Sequence, residues 1–201
     1  MTFDSSKNLS AVGALLIVIG AVLGFAVDFS GILSLIGVIL LLIGLKGLAT
    51  LYKEEGIFNN ALYSIIVAIV GCVVGIGVIA ASAVSALGDF DWANIEDWGN
   101  IGTDVGDIFV DFDFGAIADL LVALLIGLII FYVVLIISMY FLRKSMNQLS
   151  TKTGISLFST AGILVLIGAV IPVIGLLIIW IGFILATVAL FQMKKEQTTA
   201  Q

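Results

Sequence analysis

Residues 62–87 pass without one charged side chain, and five further apolar runs lie along the chain, one holding only Lys46 and one only Asp119. A bilayer core about 30 Å thick takes about 20 apolar residues per helical crossing, with about 17 near the lower limit. Runs of this kind therefore constrain the fold more than any motif, because they predict helices whose outer faces meet lipid. The runs lie at about 10–27, 31–50, 62–87, 115–142, 157–173 and 174–192. Only Asp28-Phe29-Ser30 separates the first two. The last two form one block broken by Ile171-Pro172-Val173-Ile174-Gly175. Proline removes a backbone donor and pushes the residue before it out of helical geometry, so two short crossings in a tight hairpin are expected there. The expected fold is all-α, a polytopic transmembrane helical bundle of six spans forming a single domain over 1–201, with an acidic loop at 88–114.

Composition narrows the chemistry. Of 201 residues, 62% are hydrophobic and 11% charged, against roughly a quarter charged in a soluble domain. A water-soluble enzyme is excluded on that ground. The chain has no histidine, which removes imidazole bases and most zinc sites. Its one cysteine, Cys72, cannot close an internal disulfide. No nucleotide-binding glycine loop, catalytic elbow or metal-ligand spacing occurs in the polar loops. No catalytic, cofactor-binding or metal residue is assigned, and no nucleic-acid partner is expected.

Charge placement predicts the orientation. Cytoplasmic loops keep Lys and Arg, whereas short translocated loops lack them. With six spans, all eight cations fall on one side: Lys7, Lys46, Lys53, Arg143, Lys144, Lys152, Lys194 and Lys195. Asp28 and the acidic residues from Asp89 to Asp119 fall on the other. Both termini are therefore expected in the cytoplasm of a cell-membrane protein, with the 88–114 loop outside. One kinked helix through the last block would place Lys194 and Lys195 against the other six. Helix dipoles agree, since Asp113 and Asp119 stand at the start of the fourth run and Arg143-Lys144 at its end. A cleavable signal is the rival reading of the N-terminus. It lacks an obvious small-x-small cleavage site, and the first run has a counterpart later in the chain.

That counterpart suggests a duplicated terminal hairpin. The run Leu15-Leu16-Ile17-Val18-Ile19-Gly20-Ala21-Val22 resembles Ile163-Leu164-Val165-Leu166-Ile167-Gly168-Ala169-Val170, and Ile36-Gly37-Val38-Ile39-Leu40 resembles Ile181-Gly182-Phe183-Ile184-Leu185. Both copies would start and end in the cytoplasm, which makes the repeat parallel, unlike the inverted repeats of many transporters.

Within the spans no ionisable residue lies deep enough to mark a charged-substrate path. Lys46 can snorkel to the inner interface. Ser34, Ser64, Ser82, Ser85, Ser138 and Thr187 read as backbone or helix–helix hydrogen-bonding groups before they read as a substrate path. Gly20 and Gly24, and Gly71 and Gly75, have the small-xxx-small spacing that lets helix backbones approach, so they are candidate packing residues. Packing within the chain is the plainer reading, and a homodimer face the other. Cys72, between Gly71 and Gly75, reads as a small packing residue rather than a reactive thiol.

The two polar faces differ. Outside, Asp89-Phe90-Asp91-Trp92, Glu96-Asp97-Trp98 and Asp111-Phe112-Asp113-Phe114 alternate carboxylates with aromatics. A solvated acidic cap with an aromatic belt explains them better than a calcium site, because the EF-hand order of ligands is missing. Inside, the 143–156 connector is polar and modestly basic and is expected to lie along anionic headgroups. Glu54, Glu55, Asn59 and Asn60 line the other inner loop, and the two inner loops could meet.

The runs Leu45-Lys46-Gly47-Leu48-Ala49 with Tyr52, Ile57-Phe58-Asn59-Asn60-Ala61-Leu62, Arg143-Lys144-Ser145, Lys152-Thr153-Gly154 and Leu157-Phe158 before Ala161-Gly162 resemble a family of archaeal and bacterial integral membrane proteins known as domain of unknown function 996. The likeness covers nearly the whole chain except the acidic outer loop. It implies a multi-span membrane protein without an assigned activity, so no catalytic residues are carried over. It directs attention to Phe58, Asn59, Asn60, Lys152 and Gly154 as candidate inner-face interaction residues. The expected role is a structural or partner-binding membrane protein whose partners are the lipid bilayer and a membrane protein or second copy. A small permease or channel with an uncharged path is the alternative.

Overall fold

The computed structural model describes residues 1–23, 30–88, 114–172 and 174–194. Among these there are six helices and no strand: α1 (Phe3–Leu23), α2 (Ser30–Leu51), α3 (Glu55–Gly88), α4 (Phe114–Thr153), α5 (Ser156–Val170) and α6 (Ile174–Gln192). A helix satisfies its own backbone, the condition lipid imposes on any crossing segment. All but α5 are long and apolar enough to cross a membrane. At 15 residues, α5 is only about 22 Å long.

The helices exceed the apolar runs where capping and packing extend them. The α1 helix starts at Phe3, ahead of the run at 10, because the Thr2 hydroxyl accepts from Ser5 N at 3.3 Å and Asp4 sits in the first turn. The connector expected at 143–156 along the headgroups is instead the last turns of α4, which continues to Thr153. Residues 143–153 contain no glycine or proline, and Ser145, Met146 and Leu149 of this stretch are buried. Tertiary packing therefore decides its conformation. Gly154 ends the helix at φ +70°, its N–H donating to Ser150 O at 2.9 Å.

Clustering of contacts divides the chain into two compact units. The first comprises Met1–Ala68 and Val134–Gln201, the second Ile69–Val133. In the first, α1 and α2 pack antiparallel through small residues. A Cβ on Gly37 would meet Gly13 O at 2.7 Å and Ile17 N at 3.0 Å, and one on Gly44 would collide with Ser10. The α5–α6 hairpin around Pro172 crosses in the same register: a Cβ on Gly182 would meet Ala161 O and Val165 N, each at 3.2 Å. Gly37, Gly13 and Ile17 occupy the positions of Gly182, Ala161 and Val165 when the matching runs are aligned. The Trp180 indole donates to Val18 O at 3.2 Å and ties α6 to α1.

The largest fully buried side chains of the first unit, Phe158, Leu48, Ile57 and Met193, stand at or just beyond the ends of the apolar runs rather than midway along them. Each contributes about 1.5–3 kcal/mol relative to exposure in water. Lipid gives helices no such drive, and there close approach of small residues takes its place.

In the second unit α3 meets α4 at glycines. A Cβ on Gly75 would lie 3.5 Å from Gly127 O, and one on Gly127 would lie 3.3 Å from Gly75 O. Gly71 is buried on the same face of α3. Cys72 is exposed, not packed. It lines an apolar pocket of about 340 Å³ that borders the α3–α4 contact together with Gly75 and Gly127.

Candidate functional site

A polar network joins separate elements of the first unit where the α2–α3 and α4–α5 connections meet. Asn60, buried on the first turns of α3, donates Nδ2 to Gly56 O at 2.7 Å and to Gln148 Oε1 of α4 at 2.9 Å. A Cβ on Gly56 would press on the Gln148 amide, so a larger residue there would displace that side chain from Asn60. The Ser145 hydroxyl donates to Ile57 O at 2.6 Å, and Ser159 of α5 donates to Asn147 Oδ1 at 2.9 Å. Lys152 Nζ lies 3.2 Å from Glu54 Oε2. Both side chains are about a third exposed, so this pair is worth at most about 1 kcal/mol. On the other side Lys7 Nζ donates to Met193 O at 2.9 Å, satisfying a carbonyl just past the end of α6.

Of the candidate inner-face residues, the structure joins Asn60 and Lys152 to this network. Phe58 is half-buried and carries Lys46 Nζ 5.8 Å from its ring centroid, a cation–π contact worth about 0.5–1 kcal/mol at an exposed site. Asn59 is exposed and lines a pocket of about 650 Å³ with Lys46, Ala49, Thr50, Lys53, Glu55 and Phe58. Gly154 stands apart from both as the left-handed stop of α4.

A second left-handed residue closes α2. Lys53 has φ 52°, and Glu54 N donates to Ala49 O at 2.9 Å, the six-to-one bond of a Schellman cap. Glycine is the usual residue at that position. A side chain there costs about 1–2 kcal/mol in backbone strain.

Sequence reasoning missed Gln148 and Ser145, whose connector was expected against the headgroups. It also missed the packing face Ser6, Ser10 and Gly13 against Gly37, Gly44 and Gly47. The signal was present as steps of three, four and seven residues, which place each set on one side of a helix. Of the glycines singled out, Gly20, Gly71 and Gly75 are buried, and Gly24 lies outside the described residues. So does most of the acidic loop, including every carboxylate from Asp89 to Asp113. Among the described residues, no group of three His, Cys, Asp or Glu could hold a metal ion.

A family profile described as "Protein of unknown function (DUF996)" matches residues 33–191. An uncharacterized protein of Methanocaldococcus jannaschii is 27% identical over 198 residues, covering 98% of this chain and 96% of that protein. No solved structure matches.

Proposed function

The chain belongs to the family of proteins of unknown function DUF996, and from that premise we propose that it is a structural or partner-binding protein of the cell membrane. In this reading one domain crosses the bilayer six times with both termini in the cytoplasm. The terminal hairpins α1–α2 and α5–α6 are duplicated copies, a reading supported by their shared crossing register. The short α5 is accommodated by local thinning of the bilayer.

The observation that carries the role is the distribution of polar interactions. In the first unit one group of inter-element polar bonds joins Glu54 to Lys152, Asn60 to Gln148 and Ser145 to Ile57, while the paired Ser64 and Ser138 and the Trp180–Val18 bond lie between apolar helices. The outer surfaces of the apolar helices carry Ile, Leu and Val instead, among them Ile69, Val73, Ile76, Leu125 and Leu128 of the second unit. Such walls suit lipid, a membrane-protein partner or a second copy. A permease reading needs a polar path. A pocket of about 130 Å³ in the first unit has Ser64 and Ser138 in its lining, but Ser138 Oγ donates to Ser64 O at 2.9 Å and accepts from Ser64 Oγ at 3.1 Å. Both hydroxyl protons are thus already committed. Purified protein in liposomes is expected to conduct no ions and release no trapped dye, while cross-linking in native membranes captures a membrane-protein partner or a second copy. Reproducible flux that scales with protein would overturn this reading in favour of the permease.

A further inference from the structure

We propose that the pocket at the end of α2 binds the phosphodiester headgroup of an anionic phospholipid. This rests on the membrane reading above and adds a defined lipid site to it. The pocket of about 650 Å³ holds Lys46 and Lys53 together with Thr50, Phe58 and Asn59. A second pocket, of about 240 Å³, shares Lys46 and Thr50 and reaches Ile43 and Leu51. The two open on one side of α2.

That side continues as an apolar stripe. Ile32, Ile36, Ile39 and Ile43 are all more than 40% exposed, and they lead to Lys46 and Thr50 in alternating steps of four and three residues, which keeps them on one face; Lys53 follows just past the helix end and lines the same pocket as Lys46 and Thr50. Ten residues separate Ile36 from Lys46, about 15 Å of helix, or half the hydrocarbon core. An acyl chain of one leaflet laid on the isoleucines would thus place its phosphate at the lysines.

Charge selects the headgroup. Two lysines against Glu55 leave the pocket with a net charge of +1, the complement of a phosphodiester carrying one negative charge. The Phe58 ring steadies the Lys46 ammonium. Thr50 gives its hydroxyl proton to Lys46 O at 3.0 Å, so donors to phosphate come from the two lysines and the exposed Asn59 amide. Lys53 supplies the strongest argument. It occupies a left-handed position that favours glycine, and a charge kept at a strained position points to a use for that charge.

The test follows thermal unfolding of the full chain in a neutral detergent while lipid is titrated. Phosphatidylglycerol is expected to raise the melting temperature saturably, by about 5 °C, with equal amounts of phosphatidylcholine or millimolar inorganic phosphate having no such effect. Lys46→Gln and Lys53→Gln should each raise the half-maximal lipid concentration about 5-fold. Lys53→Gly relieves the backbone strain, so it should unfold no earlier than the parent without lipid and still lose about 5-fold in lipid response. An undiminished response in Lys53→Gly and Lys46→Gln, or an equal response to phosphatidylcholine, overturns the site. An equal response to inorganic phosphate overturns the lipid assignment. Failure of the membrane reading looks different: the chain would leave membranes on alkaline carbonate extraction, whereas failure of the site alone leaves it in the pellet with unfolding blind to lipid.

Discussion

Gly44 and Gly77 are both glycines inside long apolar helices, yet their surroundings are opposite. A Cβ on Gly44 would collide with Ser10 and lie 2.7 Å from Ser6 O, whereas one on Gly77 meets nothing within 4 Å. Gly44→Ala must push α1 from α2, and overpacking of this kind costs about 1–3 kcal/mol. Gly77→Ala removes backbone freedom without a clash and should be neutral or stabilise by up to about 1 kcal/mol. Thermal unfolding in detergent checks the pair, and equal melting temperatures would refute the close crossing. Ser6 adds a third case. Its hydroxyl is fully buried without a hydrogen-bond partner, held against Gly47 where a Cβ would collide with it. Burying an unpaired hydroxyl costs about 1–3 kcal/mol, so Ser6→Ala is expected to raise the melting temperature. A drop would reveal a partner for that hydroxyl.

Between elements, hydrogen bonds in apolar surroundings hold α3 to α4 in the first unit. Ser138 both donates to Ser64 O and accepts from Ser64 Oγ, so the two serines are not equivalent. Ser64→Ala removes one inter-helix bond and Ser138→Ala removes two. At about 0.6 kcal/mol per bond in a membrane protein, the second variant should lose about twice the stability of the first, measured by unfolding in mixed micelles; equal losses would contradict the pairing. The elements themselves were largely legible. Uncharged runs marked where helices form, and Pro172 marked the hairpin between α5 and α6. Helix ends were less so, because Thr2 capping extends α1 and buried Ser145, Met146 and Leu149 extend α4, and both effects depend on neighbours. Packing faces were the least legible. A helix apolar all round carries no hydrophobic stripe to say which side turns inward, and only the spacing of small residues such as Ser6, Ser10 and Gly13 encodes it. At the site, Asn60 and Lys152 were identifiable as polar residues near the inner loops. Their partners Gln148 and Glu54 became apparent only once α3 and α4 were seen to begin and end side by side.

At the scale of the whole chain the proposed six-span reading makes a definite forecast from the charges. All eight cations lie outside the acidic 88–114 segment and on one side of a six-span arrangement, as retention of Lys and Arg in the cytoplasm requires. Cysteine labelling of intact cells tests it once Cys72, exposed in the structure, is replaced by alanine. Asp97→Cys should react with an impermeant reagent from outside. The inner reporter has to be an exposed residue: Ser145 is 2% exposed and bonded to Ile57, so a cysteine there would stay silent on either side of the membrane. Asn59→Cys is exposed and should react only after permeabilisation. The reverse pattern, or labelling of both from outside, would refute the orientation. The hairpin needs its own reporter, because α5 spans only about 22 Å of a core about 30 Å thick. Ile171, 39% exposed at the turn, is suited to it. If α5 and α6 cross the bilayer, Ile171→Cys reacts from outside in intact cells. If they form a re-entrant pair opening to the cytoplasm, it reacts only after permeabilisation or not at all. Either outcome keeps Lys7, Lys194 and Lys195 on one side, so this position alone separates six crossings from four crossings and a re-entrant hairpin.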